Sequence, residues 1–296
     1  VAIGYFAGAS GQASNSIAIG YKSAFTQQGA NSIAIGNISA QFTQGASSIA
    51  IGNSAGLALQ GIDSIAIGTT SGASGQGAES ISIGNSAGRY NQSTQSISIG
   101  VRAGTTGQGS FSVALGNDAG EIVQGQSAVA IGDHSGFSGQ GTNTVGIGYF
   151  AGYRNQSNYS ISVGSSAGST YQQYGSVAIG TNSGWLTQGT GAVAIGIYSA
   201  QNNQGLYAVS IGGSSATTNQ GNFSTAIGYS TAQNNQGINS ISIGTNSGQN
   251  SQANYSIAIG YQAGQTQQGS GSIAIGFQAG QGTQGTGAIA LGYQAG

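Results

Sequence analysis

An unbroken repeat of 16 residues is the feature that most constrains what this chain can fold into. The segment Ser-Ile-Ala-Ile-Gly, or a close variant, begins at residues 16, 32, 48, 64, 80 and 96 and continues at that spacing. We number repeat positions 1 to 16 from Val1, so that Ile17 and Ile33 also occupy position 1. The 296 residues then hold 18.5 copies without insertion or deletion. Such a period is typical of architectures in which each unit stacks on the previous one.

Position 16 and the following positions 1 to 3 predict one β-strand in every copy. Position 3 is Ile in 16 of 19 copies, and position 1 is Val or Ile everywhere except at Thr225. Positions 16 and 2 hold only Ser, Ala, Gly or Thr, so small and large side chains alternate as they do in a strand. The β-branched residues and flanking Gly exclude a helix. Positions 9 to 13 are polar, end in Gln-Gly, and predict a weaker strand or extended return segment.

A strand, a Gly turn, a return segment and a second Gly turn, repeated without change of length, predict an all-β fold. We expect a parallel β-solenoid, or β-roll, with 16 residues per coil and about 18.5 coils. Because coils stack about 4.8 Å apart, residues 1–296 are predicted to form one continuous rod on the order of 90 Å long. Both ends fall within a repeat, so we interpret the array as an excerpt of a longer chain.

Two repeat positions never vary. Position 4 is Gly in all 19 copies, and position 12 is Gln in all 18. Gly suits a corner with a positive φ or a close backbone approach. Gln suits an inward ladder in which each carboxamide bonds the ones above and below it. With the aliphatic core expected at position 3, the predicted ladder residues include Gly4, Gly148, Gly292, Gln12, Gln28, Gln44, Gln156, Gln284, Ile19, Ile35 and Ile51.

Position 2 is restricted to small residues, although its side chains are expected to point away from the Ile core. It is Ala 13 times, Ser five times and Gly once, whereas solvent-facing positions accept Lys22, Arg89 or Phe42. The restriction favours close packing of this face against another protein surface. Alternatively, small residues merely keep the sheet flat. The predicted interface residues are Ala18, Ala34, Ala50, Ala66, Ser82 and Ser98.

The composition excludes most chemistry. Only 3% of the residues are charged, against about 25% in an average domain. The absence of Cys excludes disulfides and zinc–thiolate sites, and a net charge of −1 argues against a nucleic acid partner. Apolar runs are far shorter than the roughly 20 residues that span a bilayer, so no membrane insertion is expected. We also expect no cofactor and no enzymatic activity, because catalysis needs titratable groups held together.

The few charged residues are concentrated in one stretch. Arg102, Asp118 and His134 occupy position 6 of three successive coils, and Asp133 lies beside His134 at position 5. Opposite charges stacked in this way predict a surface ion-pair ladder. A carboxylate–His metal site would use Asp118, Asp133 and His134, but the single His and the competing Arg disfavour it, so no metal is expected.

Aromatic residues supply a candidate contact surface. Tyr261, Phe277 and Tyr293 fall at position 5 of three consecutive coils. A stacked strip of this kind could contact a glycan or a partner chain. The alternative is that the rings only stack on each other and reinforce a corner.

The recurring Ser-Ile-Ala-Ile-Gly followed by two variable residues and a small pair, as in residues 32–40 and 48–56, resembles the head repeats of YadA-type trimeric autotransporter adhesins. It is also similar to the repeats of long virion fibres and other extracellular filaments. The period of 16 and the Gln-Gly of positions 12 and 13 distinguish this chain. The resemblance implies a left-handed parallel β-roll, trimeric assembly and a surface-exposed head that binds host matrix or other cells.

These observations favour a structural function. We expect a component of a rigid extracellular fibre or filament, a homo-oligomer that associates through the Ser/Ala face, with a trimer implied by the resemblance. The alternative is an adhesin head that binds glycan or matrix through exposed side-chain ladders. An ice-binding solenoid is less favoured, because outward Thr residues are scattered. The expected location is extracellular, at a cell or virion surface.

Overall fold

The computed structural model describes all 296 residues, Val1 to Gly296. The chain is an all-β parallel β-solenoid of about 18 turns with no helix, which confirms the predicted fold class. It divides into two compact units, Val1–Ile147 and Gly148–Gly296, which are described separately. The single continuous rod stays a prediction.

Each turn contributes a short strand at positions 1 to 3 and, in most turns, a second that ends at the Gln of position 12. In the first unit the position 1 to 3 strands are β1 (Ala2–Ile3), β3 (Ile17–Ile19), β5 (Ile33–Ile35), β6 (Ile49–Ile51), β8 (Ile65–Ile67), β10 (Ile81–Ile83), β12 (Ile97–Ile99), β14 (Val113–Leu115), β16 (Val129–Ile131) and β18 (Val145–Ile147). The return strands are β2 (Ser10–Gln12), β4 (Thr26–Gln28), β7 (Ala58–Gln60), β9 (Ser74–Gln76), β11 (Tyr90–Gln92), β13 (Thr106–Gln108), β15 (Ile122–Gln124) and β17 (Ser138–Gln140).

The second unit repeats this arrangement. Its position 1 to 3 strands are β20 (Ile161–Val163), β22 (Val177–Ile179), β23 (Val193–Ile195), β25 (Val209–Ile211), β27 (Thr225–Ile227), β29 (Ile241–Ile243), β31 (Ile257–Ile259), β33 (Ile273–Ile275) and β35 (Ile289–Leu291). Its return strands are β19 (Arg154–Gln156), β21 (Thr170–Gln172), β24 (Asn202–Gln204), β26 (Thr218–Gln220), β28 (Asn234–Gln236), β30 (Asn250–Gln252), β32 (Gln267–Gln268) and β34 (Thr283–Gln284).

The register between turns is 16 residues throughout each unit. Ile17 pairs with Ile33 in parallel, and Gln28 forms a parallel bridge with Gln44. The backbone hydrogen bonds run from turn to turn, as in the bond of 2.8 Å from the Gly36 amide to the Ile19 carbonyl. Identical repeat positions therefore form columns along each unit.

The side chains of positions 1 to 3 face the opposite way from the sequence expectation. The predicted interface residues at position 2 are buried inside their own turns, whereas the aliphatic side chains at positions 1 and 3 lie outside and are partly exposed. The predicted Ile core and outward Ser/Ala face are therefore wrong. The corrected residues are Ala18, Ala34, Ala50, Ala66, Ser82 and Ser98, which are fully buried, and Ile19, Ile35 and Ile51, which line the outer surface.

The width of the turn explains this orientation. Positions 2, 7, 12 and 16 all point inward, and position 12 carries a long Gln side chain that crosses the interior. The Nε2 of Gln28, for example, reaches the Ile17 carbonyl oxygen on the other side of the turn at 2.8 Å. The remaining volume admits only Ala, Ser, Thr or Gly, so the large aliphatic side chains are placed outside.

Position 4 requires glycine for two separate reasons. Gly4 and Gly148 have φ of +129°, and Gly292 has φ of +121°, conformations that L side chains rarely adopt. A Cβ on Gly148 would lie 2.7 Å from the carbonyl oxygen of Gly164 in the next turn. The corner therefore combines an unusual φ with a close backbone approach.

Candidate functional site

The position 12 side chains form a buried column that joins the two halves of each turn. Nε2 of Gln28 donates to the Ile17 carbonyl, and Nε2 of Gln44 donates to the Ile33 carbonyl, both at 2.8 Å. These bonds tie the return segment to the position 1 backbone across the interior, and they give the buried NH₂ groups the partners that buried polar groups need. Carboxamides that act within their own turn in the same way include those of Gln12, Gln156 and Gln284.

The amides bond each other only along parts of the column. Nε2 of Gln92 donates to Oε1 of Gln108 at 3.1 Å, and Nε2 of Gln108 donates to Gln124 at 3.2 Å. In contrast, Oε1 of Gln28 and of Gln44 is buried without a hydrogen-bond partner. The expectation that every carboxamide bonds its neighbours above and below is therefore wrong, because each NH₂ group is primarily held by carbonyls of its own turn.

Serine at position 2 supplies the missing partner for Oε1. Ser82 Oγ donates to Gln92 Oε1 at 2.5 Å, and Ser162 Oγ donates to Gln172 Oε1 at 2.7 Å. In such turns position 8 is glycine, and a Cβ built on Gly88 would collide with Ser82 Oγ. Positions 2, 8 and 12 are thus coupled in the interior.

This coupling predicts opposite effects for one substitution in two turns. Ala66 shares its turn with Gly72 and with Gln76, whose Oε1 is unpartnered. Ala66→Ser is expected to raise the free energy of unfolding by about 1 kcal/mol, because a buried acceptor gains a donor. Ala34→Ser places the same hydroxyl beside Ala40 and is expected to bring no gain. Urea denaturation of both variants measures the difference.

Ser210 shows why the second variant serves as the control. Its turn has Ala216 at position 8, and its Oγ donates to the Ser215 carbonyl at 2.9 Å instead of to a Gln amide. Equal stability changes in the two variants would contradict the proposed coupling between positions 2 and 8.

The charged residues form a surface ladder with one buried member. Arg102 contacts Asp118 with both Nε–Oδ1 at 2.5 Å and Nη2–Oδ2 at 2.6 Å, and the Asp118 side chain is only 1% exposed. His134 lies between two carboxylates, with Nε2 at 3.4 Å from Asp118 Oδ2 and Nδ1 at 3.1 Å from Asp133 Oδ1. The bidentate geometry between Arg102 and Asp118 is the strong form of an Arg–carboxylate pair.

The surroundings shift the pKa values of two acidic groups in opposite directions. The hydrogen bond from Asn117 Nδ2 to Oδ1, of 2.8 Å, is the main cause that lowers the pKa of Asp133. Burial raises the pKa of Glu121, and the nearby Asp118 charge adds to this.

Asp118, Asp133 and His134 were the metal candidates of the sequence, but no group of three such residues has the arrangement to hold an ion. Instead, both carboxylate oxygens of Asp118 bond Arg102.

The position 5 aromatic strip is stacked ring on ring. The ring centroids of Tyr261 and Phe277 are 5.2 Å apart with planes at 14°, and those of Phe277 and Tyr293 are 5.1 Å apart at 7°. Within the strip the facing ring surfaces cover each other, so that both faces of Phe277 and one face of each tyrosine are occupied. Contact with glycan stays a prediction, and this geometry favours the alternative of a self-stacked corner.

The outward side chains at positions 1 and 3 form a continuous apolar surface on each unit, which we call the aliphatic face. It consists of Ile, Val and Leu in two columns, with Thr225 as the exception. Ile131 and Ile147, at 37% exposed, are among the most exposed residues of these columns away from the ends, and most of the others are half-buried. Sequence reasoning missed this surface because strand alternation does not say which side faces inward. The invariant Gln was the signal that could have found it.

The structure contains no helix that could span a bilayer.

A chain of stacked 16-residue turns with a Gln, Ala and Ser interior belongs to the class of β-solenoid repeat proteins. Within that class, the family model described as the YadA head domain repeat matches two copies, at residues 1–23 and 236–263. These two segments are similar to YadA head repeats, which confirms the resemblance noted in the sequence. Such repeats are typical of adhesin-type surface proteins that are not enzymes. A comparison with curated proteins finds no match.

Proposed function

We propose that this chain is a structural segment of an extracellular surface fibre and that its copies associate through the aliphatic face. The observation that carries the proposal is the pair of continuous, partly exposed Ile and Val columns on one side of each unit. The interior contains few large apolar side chains, so much of the aliphatic surface remains outside. Association would remove this surface from water.

The size and character of the face support a stable contact. In the first unit ten turns each carry two aliphatic residues, at positions 1 and 3. Stable interfaces use roughly 20 to 30 residues from each partner, and each Å² of apolar surface removed from water contributes about 25 cal/mol. None of these positions carries a charge, so no ion has to be desolvated.

A second copy of the chain is the partner that fits the face. The columns repeat at the spacing between adjacent parallel strands, about 4.8 Å. Another copy has the same spacing, so its side chains can pack between successive turns along the whole contact. A partner without this period would match at only a few turns. The YadA head match supports a homo-oligomer, and we propose the trimer and the extracellular location on the same basis.

An adhesin head is the second candidate function, favoured by the match to YadA head repeats. The two candidates differ in their behaviour. A fibre segment should assemble into filaments without a ligand, whereas a head should form a finite oligomer that binds glycan or matrix saturably.

Two double variants in the same turns test the association. Ile51→Lys with Ile83→Lys places two cations on the aliphatic face, and is expected to convert the assembly to monomers. Ser54→Lys with Ser86→Lys places the same charges at position 6, where the chain already carries Lys22, and should leave assembly intact. Sedimentation velocity and electron microscopy measure assembly, and circular dichroism confirms folding.

Two results would count against this proposal. One is a monodisperse monomer for the unmodified chain at tens of micromolar. The other is unchanged assembly of the aliphatic-face variant under conditions in which both variants are folded.

A further inference from the structure

A groove crosses four successive turns of the second unit on the side of the return strands. It has a volume of about 490 Å³, within the range of roughly 300 to 1,000 Å³ that is usual for ligand sites. Its floor is the backbone of position 13, and its polar side chains come from four successive turns. We call it the amide groove; these side chains belong to Asn235, Ser251, Gln267, Thr283 and Thr286.

The amide groove lies in a part of the chain that has no ionisable charge. No Asp, Glu, Lys, Arg or His follows Arg154 in the sequence. A phosphate, a sulfated chain or an ionic peptide would therefore lose its hydration without gaining a counter-charge. The surface suits an uncharged ligand that is rich in hydroxyl groups.

The polar groups of the groove have unused hydrogen-bonding capacity. Ser251, Gln267 and Thr283 occupy position 11 of successive turns, and their side chains make no hydrogen bond within the protein. In the preceding turns the position 11 amides bond each other, with Asn219 Nδ2 at 3.0 Å from Asn235 Oδ1. The ladder ends where the groove begins, so donors and acceptors there remain free for a ligand.

An exposed aromatic residue closely follows one of the groove residues in the sequence. Tyr255 is two residues from the groove residue Ala253, is 62% exposed, and stacks on no other ring. The next residue in its column is Gly271, and a Cβ there would meet nothing within 4 Å. The space beside the ring in the direction of this turn is therefore open.

The corresponding aromatic pair three turns earlier is different. Tyr207 and Phe223, also at position 15, stack with centroids 5.7 Å apart and planes at 13°. Their facing ring surfaces cover each other. The turns around Tyr255 thus combine an unstacked ring, bare backbone beside it, and amide and hydroxyl groups that are free to bond a ligand.

We propose that the amide groove binds a neutral glycan chain. A sugar ring would pack its apolar face on Tyr255, and the adjacent sugars would bond Gln267 and Thr283 through their hydroxyls. The chain would lie along the axis of the unit, because the groove crosses four turns. The position 11 residues of this site belong to the return strands, whereas the aliphatic face belongs to the position 1 to 3 strands.

Calorimetric titration of the full chain tests the site with cellohexaose, laminarihexaose and mannohexaose as probes. At least one of these neutral hexasaccharides is expected to bind saturably. Tyr255→Ala should weaken that binding about tenfold or more, because it removes the ring on which one sugar packs and leaves the adjacent sugars less well held by their hydrogen bonds. Gln267→Ala should weaken it by a smaller factor. Tyr207→Ala, the matched control at position 15, should bind as the unmodified chain does.

The outcomes separate this site from the other surfaces. No binding of any of the three hexasaccharides would overturn the proposal, as would full retention of binding in Tyr255→Ala. Loss of binding in Tyr293→Ala with retention in Tyr255→Ala would move the site to the stacked strip. Circular dichroism shows whether each variant is folded. The outcome of the glycan titration does not bear on the assembly of the aliphatic-face variants, which is measured separately.

Discussion

Gly116→Ala is expected to lower the free energy of unfolding of the first unit by about 4 kcal/mol or more, among the largest effects of a single methyl group. Gly116 has φ of +131°, which an L side chain rarely adopts. Its Cβ would lie 2.7 Å from the carbonyl oxygen of Gly132. That oxygen belongs to the backbone of the next turn, so relief of the contact requires separation of the turns. Chemical denaturation of the folded variant measures the effect.

Gly107→Ala is the matched control. Gly107 also has a positive φ, of +68°, but the nearest atom to its Cβ is the Val123 Cα at 3.8 Å. Position 11, which it occupies, carries Gln27 and Leu59 in other turns with a similar φ. The expected loss is only about 1 kcal/mol, the cost of a left-handed conformation. Similar losses for the two glycines would show that conformation alone, without the contact between turns, explains position 4.

Gln108→Leu is expected to destabilise the first unit by about 3 to 5 kcal/mol, because it leaves several buried polar groups without partners. Gln108 is 1% exposed. Its Nε2 donates to the Ile97 carbonyl at 2.8 Å and to Gln124 at 3.2 Å. Its Oε1 accepts from Ser98 Oγ at 2.5 Å and from Gln92 Nε2 at 3.1 Å. A leucine of similar volume replaces none of these bonds.

Gln265→Leu tests whether burial, and not the amide ladder itself, causes this loss. Gln265 also bonds amides on both sides, at 3.0 Å to Gln249 and 3.0 Å to Gln281, but on the outer surface. Water can replace those bonds, so the expected loss is under about 1 kcal/mol. Thermal denaturation of both variants measures the contrast. A loss at Gln265 as large as that at Gln108 would show that the interior position has no special importance.

The orientation of the strands shows how far the sequence could be interpreted. The period placed Ile17 over Ile33 and Gln28 over Gln44, and the structure has both pairs. Alternation of large and small residues also placed positions 1 and 3 on one side and position 2 on the other. It did not say which side was inside, and the usual preference of large apolar residues for the core led to the wrong side.

The candidate surfaces follow the same division. Stacking of Tyr261 on Phe277 could be predicted, because equal positions lie in adjacent turns. The amide groove could not be predicted, since it depends on which position 11 amides bond each other and which do not. Likewise, the ladder position of Asp118 was visible in the sequence, but its nearly complete burial was not.

The 16-residue period by itself determined the parallel stacking, the register and the columns of equal residues, because a chain that repeats without insertion must place each position above its predecessor. The tertiary structure alone decided what fills the interior. Each Gln side chain spans its narrow turn to reach a backbone carbonyl, as Gln28 does at Ile17, and the remaining space excludes an isoleucine. Volume and buried hydrogen bonding therefore outweighed hydrophobicity in choosing which side chains face inward.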